Sequence, residues 1–291
     1  MQVREPDRNF QFGGRSFYFF DFDDNIAVLG TPLVLFHRDT RQELLVSSAE
    51  FAGIQSKIGR EGIYREYELD FCDQTGSFRN FRDRNLTELE TLAGQRQVFI
   101  DDLAHALGFP DWHWQGPSWQ TFYHAVFNER PVAVITARGH SPETLRAGFR
   151  FMVERRVLPH EPNLLAVFPV SHKPTRGLLG DADLRASTAE LKRRAIRRCV
   201  ELAFVNYGQN PYHRFGMSDD DPQNIEGIIE ELKLLKALYP QNAFFLIDTQ
   251  KGRNRKIEVS QEENDRLLAV ESCVLSSFDK DQAPSENGAS V

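Results

Sequence analysis

Two groups of carboxylates, each at the end of an apolar run, carry the chemistry this chain could perform. The first closes the segment Ser16-Phe-Tyr-Phe-Phe-Asp21-Phe-Asp23-Asp24-Asn25, where consecutive aromatics empty abruptly into acids. The aromatics read as a short strand buried on both faces. In extended chain, Asp21 and Asp23 lie two apart and point the same way. Carboxylates held side by side repel, and one takes up a proton unless a cation or a reaction needs the charge. The pair therefore predicts a Mg²⁺ site, a nucleophile with a partner acid, or both. A strand running into a solvated loop gives the same short pattern, so the pair alone does not decide. The second group, Ser218-Asp219-Asp220-Asp221-Pro222, also follows a short apolar strand, around Phe215. It opens a helical pattern (Ile225, Ile228, Ile229, Leu232, Leu235), with Pro222 suited to a helix start. A third segment, Val132 to Thr136, is a buried-looking strand ending on a hydroxyl, and Ser141-Pro142-Glu143 follows it as a helix cap.

The elements that must position these groups alternate. Apolar segments at 32–36 and 43–47 flank a turn-like His37–Arg41 and predict a hairpin. Residues 51–83 mix aromatics with charge and show no clear period. Helical spacing covers 86–107, with Gly108 as a stop, and a second helix runs near Ser118 to Asn128. After the Val132 strand come a helix to about Arg155, a strand over Leu164–Phe168 and a loop containing Lys173. A basic helix over Ser187–Tyr207, the Phe215 strand, the Ile225–Leu238 helix and a strand over Ala243–Ile247 complete the pattern. Strands alternating with helices predict βαβ units, a parallel sheet and an α/β fold of three layers. In such sheets the ligand site lies outside the carboxyl ends of the strands. Asp21, Thr136 and Asp219 each follow a strand, so one sheet would bring all three to one edge.

Composition narrows the field. The 291 residues suit one large domain, or a core with an insert, and suffice for a substantial core. A formal charge of −7 and a pI near 5.7 argue against a general nucleic-acid or anionic-membrane binder. No stretch approaches a membrane span, and the start, Met-Gln-Val-Arg-Glu-Pro, lacks the apolar core of a signal peptide. Cys72, Cys199 and Cys273 are odd in number and widely spaced, which predicts reduced thiols in a cytoplasmic protein. Lys192-Arg-Arg with Arg197-Arg198 reads as a solvated helix face or as an attractor of anionic substrate. Lys251 to Lys256 looks like a basic hairpin turn open to the same two readings. Trp112-His113-Trp114 reads as packing before binding. The segment 278–291 is polar, with Ser, Pro and Gly, and is expected to be disordered.

Taken together, the segments resemble the haloacid dehalogenase superfamily of phosphohydrolases. Four short motifs carry the resemblance, in family order from Asp21 to Asn224. The first, D-x-D after an apolar strand, is Asp21-Phe-Asp23; the family usually has Thr or Val where this chain has Asn25. The second, a hydroxyl closing a later strand, is Thr136. The third is a lysine before the last motif: Lys192 fits by spacing, with Lys173 as the rival. The fourth, an acidic pair after a strand, is Asp219 with Asp220.

The resemblance implies a Rossmann-like core over 1–30 and 131–277, with a flap hairpin and inserted cap over 31–130. The long stretch between the first two motifs exceeds a simple connection. It further implies a Mg²⁺-dependent phosphatase in which Asp21 attacks phosphorus and Asp23 serves as general acid and base. Thr136 and Lys192 would hold the phosphoryl oxygens. Mg²⁺ would be held by Asp21, the backbone carbonyl of Asp23, and Asp219 with Asp220. The partner implied is a small phosphorylated substrate. A phosphomutase or phosphotransferase using the same residues, and a non-catalytic binding protein on the same fold, are the alternatives.

Overall fold

The computed structural model describes residues 3–252, 254–260 and 268–270. In chain order, β1 (Ser16–Phe20) leads to a hairpin of β2 (Leu33–His37) and β3 (Glu43–Val46). Then come α1 (Ser48–Ile54), the short β4 (Tyr67–Glu68), α2 (Glu88–Leu92), α3 (Val98–Ala106), α4 (Asp111–Trp114) and α5 (Trp119–Phe127). An alternating half follows: β5 (Val132–Thr136), α6 (Pro142–Glu154), β6 (Leu164–Pro169), α7 (Lys173–Leu178) and α8 (Thr188–Tyr207). It ends with β7 (Arg214–Asp219), α9 (Pro222–Leu238), β8 (Ala243–Asp248), β9 (Arg255–Glu258) and β10 (Leu268–Val270).

The predicted α/β architecture is present. The main sheet has the order β10-β9-β8-β7-β1-β5-β6, and its five strands from β8 to β6 are parallel. Both neighbours of β1 run in its direction, with Phe20 opposite Val134 on one side and Ser218 on the other. Because the chain builds outward from β1 first through β5 and β6, then through β7 and β8, the order reverses at β1. That switch point is where a Rossmann-like sheet opens a crevice at its carboxyl ends. Strand alternation sends Phe17, Phe19, Phe215 and Met217 to one face, under Leu191, Ala195, Ile228 and Leu232 of α8 and α9. Phe20, Val132 and Val134 face the other way, under Phe99, Leu103, Phe122 and Phe149 of α3, α5 and α6. The result is a sheet between two helical layers.

The hairpin at 31–50 forms, and β4 adds to its far side, giving a separate antiparallel sheet β3-β2-β4 with its own small core of Leu33, Leu35, Val46 and Ile54. Within 31–130, then, Leu33 to Phe81 builds this second sheet, whereas α3 and α5 join the layer over the main one. The single helix expected over 86–107 is two, α2 and α3, broken at Gly94, whose φ of 86° few other residues adopt. Lys173, expected in a loop, opens the short α7. The predicted helix starts hold: Ser141, Ser187 and Asp221 each accept a backbone N–H of the first turn, with Pro142 and Pro222 just inside. Segment 278–291, the boundary at 277 and Cys273 lie outside the described residues. No helix among the described residues is long and apolar enough to cross a membrane.

Candidate active site at the carboxyl edge of the sheet

Asp21 is the first residue beyond β1 and is anchored by its own backbone, whose N–H donates to the Ser218 carbonyl at 2.9 Å. Its Oδ1 accepts the Phe22 N–H at 2.8 Å. From the opposite side, Lys192 of α8 extends Nζ to within 2.9 Å of Asp21 Oδ2 and 2.7 Å of Asp219 Oδ2. The ammonium is buried (1% exposed) because its neighbours Leu191 and Ala195 are packed into the core, which carries this helix face onto the sheet. Asp219 ends β7 and is wholly buried. Its Oδ1 is turned away by the Asp221 N–H at 3.0 Å and the Asn224 amide at 3.1 Å, leaving Oδ2 for the lysine. Asp21, Asp219 and Asp220 each place a carboxylate oxygen within 4.8 Å of the others.

Among the described residues three carboxylates face one ammonium, and the imbalance shows in the proton affinities of Asp21 and Asp220. Burial, and then the charges of Asp219 and Asp220, push the Asp21 carboxyl well above its usual range despite Lys192. Burial and the Asp219 charge push Asp220 up to about 7. Burial alone would lower the lysine, but the charges of Asp21 and Asp219 outweigh it and its affinity for the proton rises. A hard divalent cation fits this donor set: the groups are oxygen ligands, they converge, and their negative charge exceeds what Lys192 supplies. Asp21, Asp219 and Asp220 would hold it.

Asp23 belongs to a different neighbourhood. The chain leaves strand geometry after Phe20: the Ile26 N–H turns back to the Phe22 carbonyl, and Asp24 sits at φ 55°. Period-two alternation no longer applies, so the Asp21 and Asp23 side chains do not point the same way as their spacing predicted. The Asp23 carboxylate lies outside the three-acid group and is held by Arg138, whose Nη2 donates to Oδ1 at 2.6 Å and Nε to Oδ2 at 2.9 Å. Thr136 is fully buried; its hydroxyl donates to Asp23 Oδ2 at 3.3 Å and accepts the Arg138 N–H at 3.3 Å. The arginine is itself fixed between Phe81 and Phe99, 5.0 and 4.9 Å from the ring centres, and donates to Thr31 Oγ1 at 2.8 Å. Its Nη1 is buried without a hydrogen-bond partner.

Asp24 turns elsewhere again, accepting the Ser48 hydroxyl at the start of α1 at 2.8 Å. Lys173 is not at the carboxylates; it is exposed and paired with Asp73. The other basic residues of α8 form an ion-paired outer face, with Arg193 on Glu230, Arg197 on Glu231 and Arg198 on Glu201.

Sequence reasoning missed Arg138 and the role of Asn25. Asn25 is fully buried; its amide donates to the Ser218 carbonyl at 3.0 Å, and its Oδ1 accepts the Thr249 hydroxyl at 3.1 Å. It ties the Asp21 loop to the end of β7, which explains a polar residue where Thr or Val was expected. The signal for Arg138 was a cation directly after a buried strand, two residues beyond Thr136. No family model, curated protein or solved structure matches this chain, so its own geometry is the ground for function.

Proposed function

We propose that the chain is a Mg²⁺-dependent phosphatase of the haloacid dehalogenase type, hydrolysing a phosphomonoester through an aspartyl-phosphate. The observation that carries this reading is the division of labour between two neighbouring acids. Asp21 faces the buried lysine and the Asp219–Asp220 pair, whereas Asp23 is clamped separately by Arg138 and Thr136.

An Asp21 oxygen attacks phosphorus as the bond to the leaving oxygen breaks, and Asp23 supplies that oxygen with a proton. In the second half Asp23 takes the proton from a water, whose oxygen displaces Asp21 from phosphorus and restores its carboxylate. Lys192 keeps Asp21 in place and offers positive charge where phosphoryl oxygens would sit. Thr136 and Arg138 fix the direction of Asp23. Mg²⁺, when bound by Asp21, Asp219 and Asp220, supplies charge neutralisation that lets a phosphate enter an acidic crevice. The small sheet β3-β2-β4 acts as the flap and cap. The start of α1, which follows β3, touches the Asp21 loop through Ser48–Asp24, and the Arg82 guanidinium beyond the sheet donates to the Ser171 carbonyl at 2.7 Å.

The test is Asp21→Asn assayed on phosphorylated metabolites, nucleotides and nucleic-acid ends with Mg²⁺. The variant should stay folded, since it removes one of three crowded charges, and should lose turnover and beryllofluoride binding. Turnover retained by Asp21→Asn would falsify the nucleophile assignment.

A further inference from the structure

The two faces of the main sheet are covered unequally. On the face away from α8 and α9, α5 and α6 lie over β1 and β6. Toward β7, β8 and β9 the same face presents charge. Because Phe215, Phe244 and Ile257 point into the core beneath α9, alternation turns Arg214, Phe245 and Lys256 to the opposite side. There the Arg214 guanidinium carbon stands 4.5 Å, and Lys256 Nζ 4.1 Å, from the centre of the Phe245 ring. These three residues, with Arg8 and Tyr18 at the margin, line a cavity of about 430 Å³.

Among the described residues the positive charge in this cavity is only partly offset. Among the described residues neither Arg214 nor Lys256 has a carboxylate in ion-pair contact. Of the acids facing the cavity, Asp7 is committed to Arg130 at 3.0 Å and to the Ser16 N–H. Glu5 also lines the cavity, and Glu258 only partly offsets the cations from β9. Burial, then the charges of Arg214 and Arg8, lower the Lys256 ammonium to about 8, and burial and Arg8 lower Arg214 as well. Long cationic side chains often cover an apolar ring with their stems. That alone does not explain two like charges flanking one ring, where they repel each other.

We propose that this cavity is a binding site for a small phosphorylated molecule carrying at least two negative charges, separate from the carboxylate edge. Arg214 and Lys256 would grip the anion, Phe245 would form the floor, and Tyr18 would form part of the wall. The site is distinct because Arg214 begins the strand that Asp219 ends, which at about 3.3 Å per residue separates them by roughly 16 Å. It does not depend on the proposed phosphatase activity.

The test uses the full chain in EDTA, so that the carboxylate edge repels anions, with inorganic pyrophosphate as the probe at pH 7. Calorimetry should show saturable binding of one pyrophosphate per chain. Arg214→Met and Lys256→Met should each weaken it by about tenfold or more, the loss typical of one charged hydrogen bond. Lys256→Arg should retain it, and Asp21→Asn should leave it unchanged. Should a Met variant fail to fold, the wild type still decides: bound pyrophosphate should slow acetylation of Lys256, read by mass spectrometry. Absence of saturable binding, binding that survives both Met substitutions, loss in Asp21→Asn, or unchanged acetylation would each overturn the proposal.

Discussion

Lys192→Met removes the one cation that, among the described residues, faces the three acids, while keeping most of the stem that fills the core. The ammonium lies 2.9 and 2.7 Å from its two partners and is almost wholly buried. At an effective dielectric of about 20, each contact corresponds to roughly 6 kcal/mol of attraction. The net loss is smaller, because a stranded carboxylate takes up a proton; breaking a buried pair usually costs about 3–5 kcal/mol. For a chain of this size that lowers the melting temperature by roughly 10 °C. The loss should depend on pH. Of the acids left behind, Asp21 and Asp220 have folded-state proton affinities raised above their unfolded values, so the stability they contribute is present at low pH and lost as pH rises. In EDTA the variant should therefore be much less stable than wild type at pH 8 and closer to it at pH 5. Added Mg²⁺ should restore part of the difference by binding only the folded chain. Turnover should fall on the order of 10²-fold or more, as on loss of an oxyanion donor. Urea denaturation at both pH values, with and without Mg²⁺, reads the outcome. A loss below about 1 kcal/mol at pH 8 would refute the balance of charge argued for the site, and full turnover would remove Lys192 from the chemistry.

Three further perturbations separate the remaining roles. Metal-free wild type should lose about 2–4 kcal/mol between pH 5 and pH 8, because Asp220, held up to about 7, gives up its proton there while its unfolded carboxyl has done so near 4. Saturating Mg²⁺ should flatten that dependence, and a melting temperature in EDTA that is equal at both pH values would count against it. Asp23→Asn and Arg138→Met should both slow alkyl phosphates, by about 10²–10⁴-fold for the former, far more than aryl phosphates whose oxides leave unprotonated. An equal loss on both substrate types would make Asp23 structural. Asn25→Ala strands the Ser218 and Thr249 groups it bridges and should cost about 2 kcal/mol in chemical denaturation; a cost under about 0.5 would deny it the loop-tying role.

What could be read from the chain followed how local each signal is. The aromatic run ending at Asp21, the apolar run ending at Thr136, the cap at Ser141 and the helix starts at Ser187 and Pro222 are local patterns, and each element formed where expected. Lys192 was reachable only through the resemblance, whose third motif it fits by spacing; its burial beside Leu191 and Ala195 is what the structure adds. Of the second sheet only the β2–β3 hairpin was legible. Residues 51–83 fold through short turns held by ion pairs such as Arg79–Glu43 and Arg41–Glu68, which leave no period in the sequence. The break between α2 and α3 turned on the single backbone angle of Gly94.

The partner of Asp23 was hidden for another reason, and that reason bears on function. Asp21 and Asp23 are two residues apart, yet separate parts of the fold hold them. Asp21 is set by Lys192 and Asp219, both embedded in the core beneath α8 and α9. Asp23 is set by Arg138, which rests on Phe81 and Thr31 at the junction with the second sheet. Interiors repack in discrete steps and seldom deform smoothly. A movement of the second sheet would therefore reach Asp23 through Arg138 and leave Asp21 in place. Under the proposed reaction, that junction controls protonation of the leaving group without disturbing the nucleophile. Changes at Phe81 or Thr31 should thus resemble loss of Asp23, sparing aryl phosphates, and should not resemble loss of Asp21.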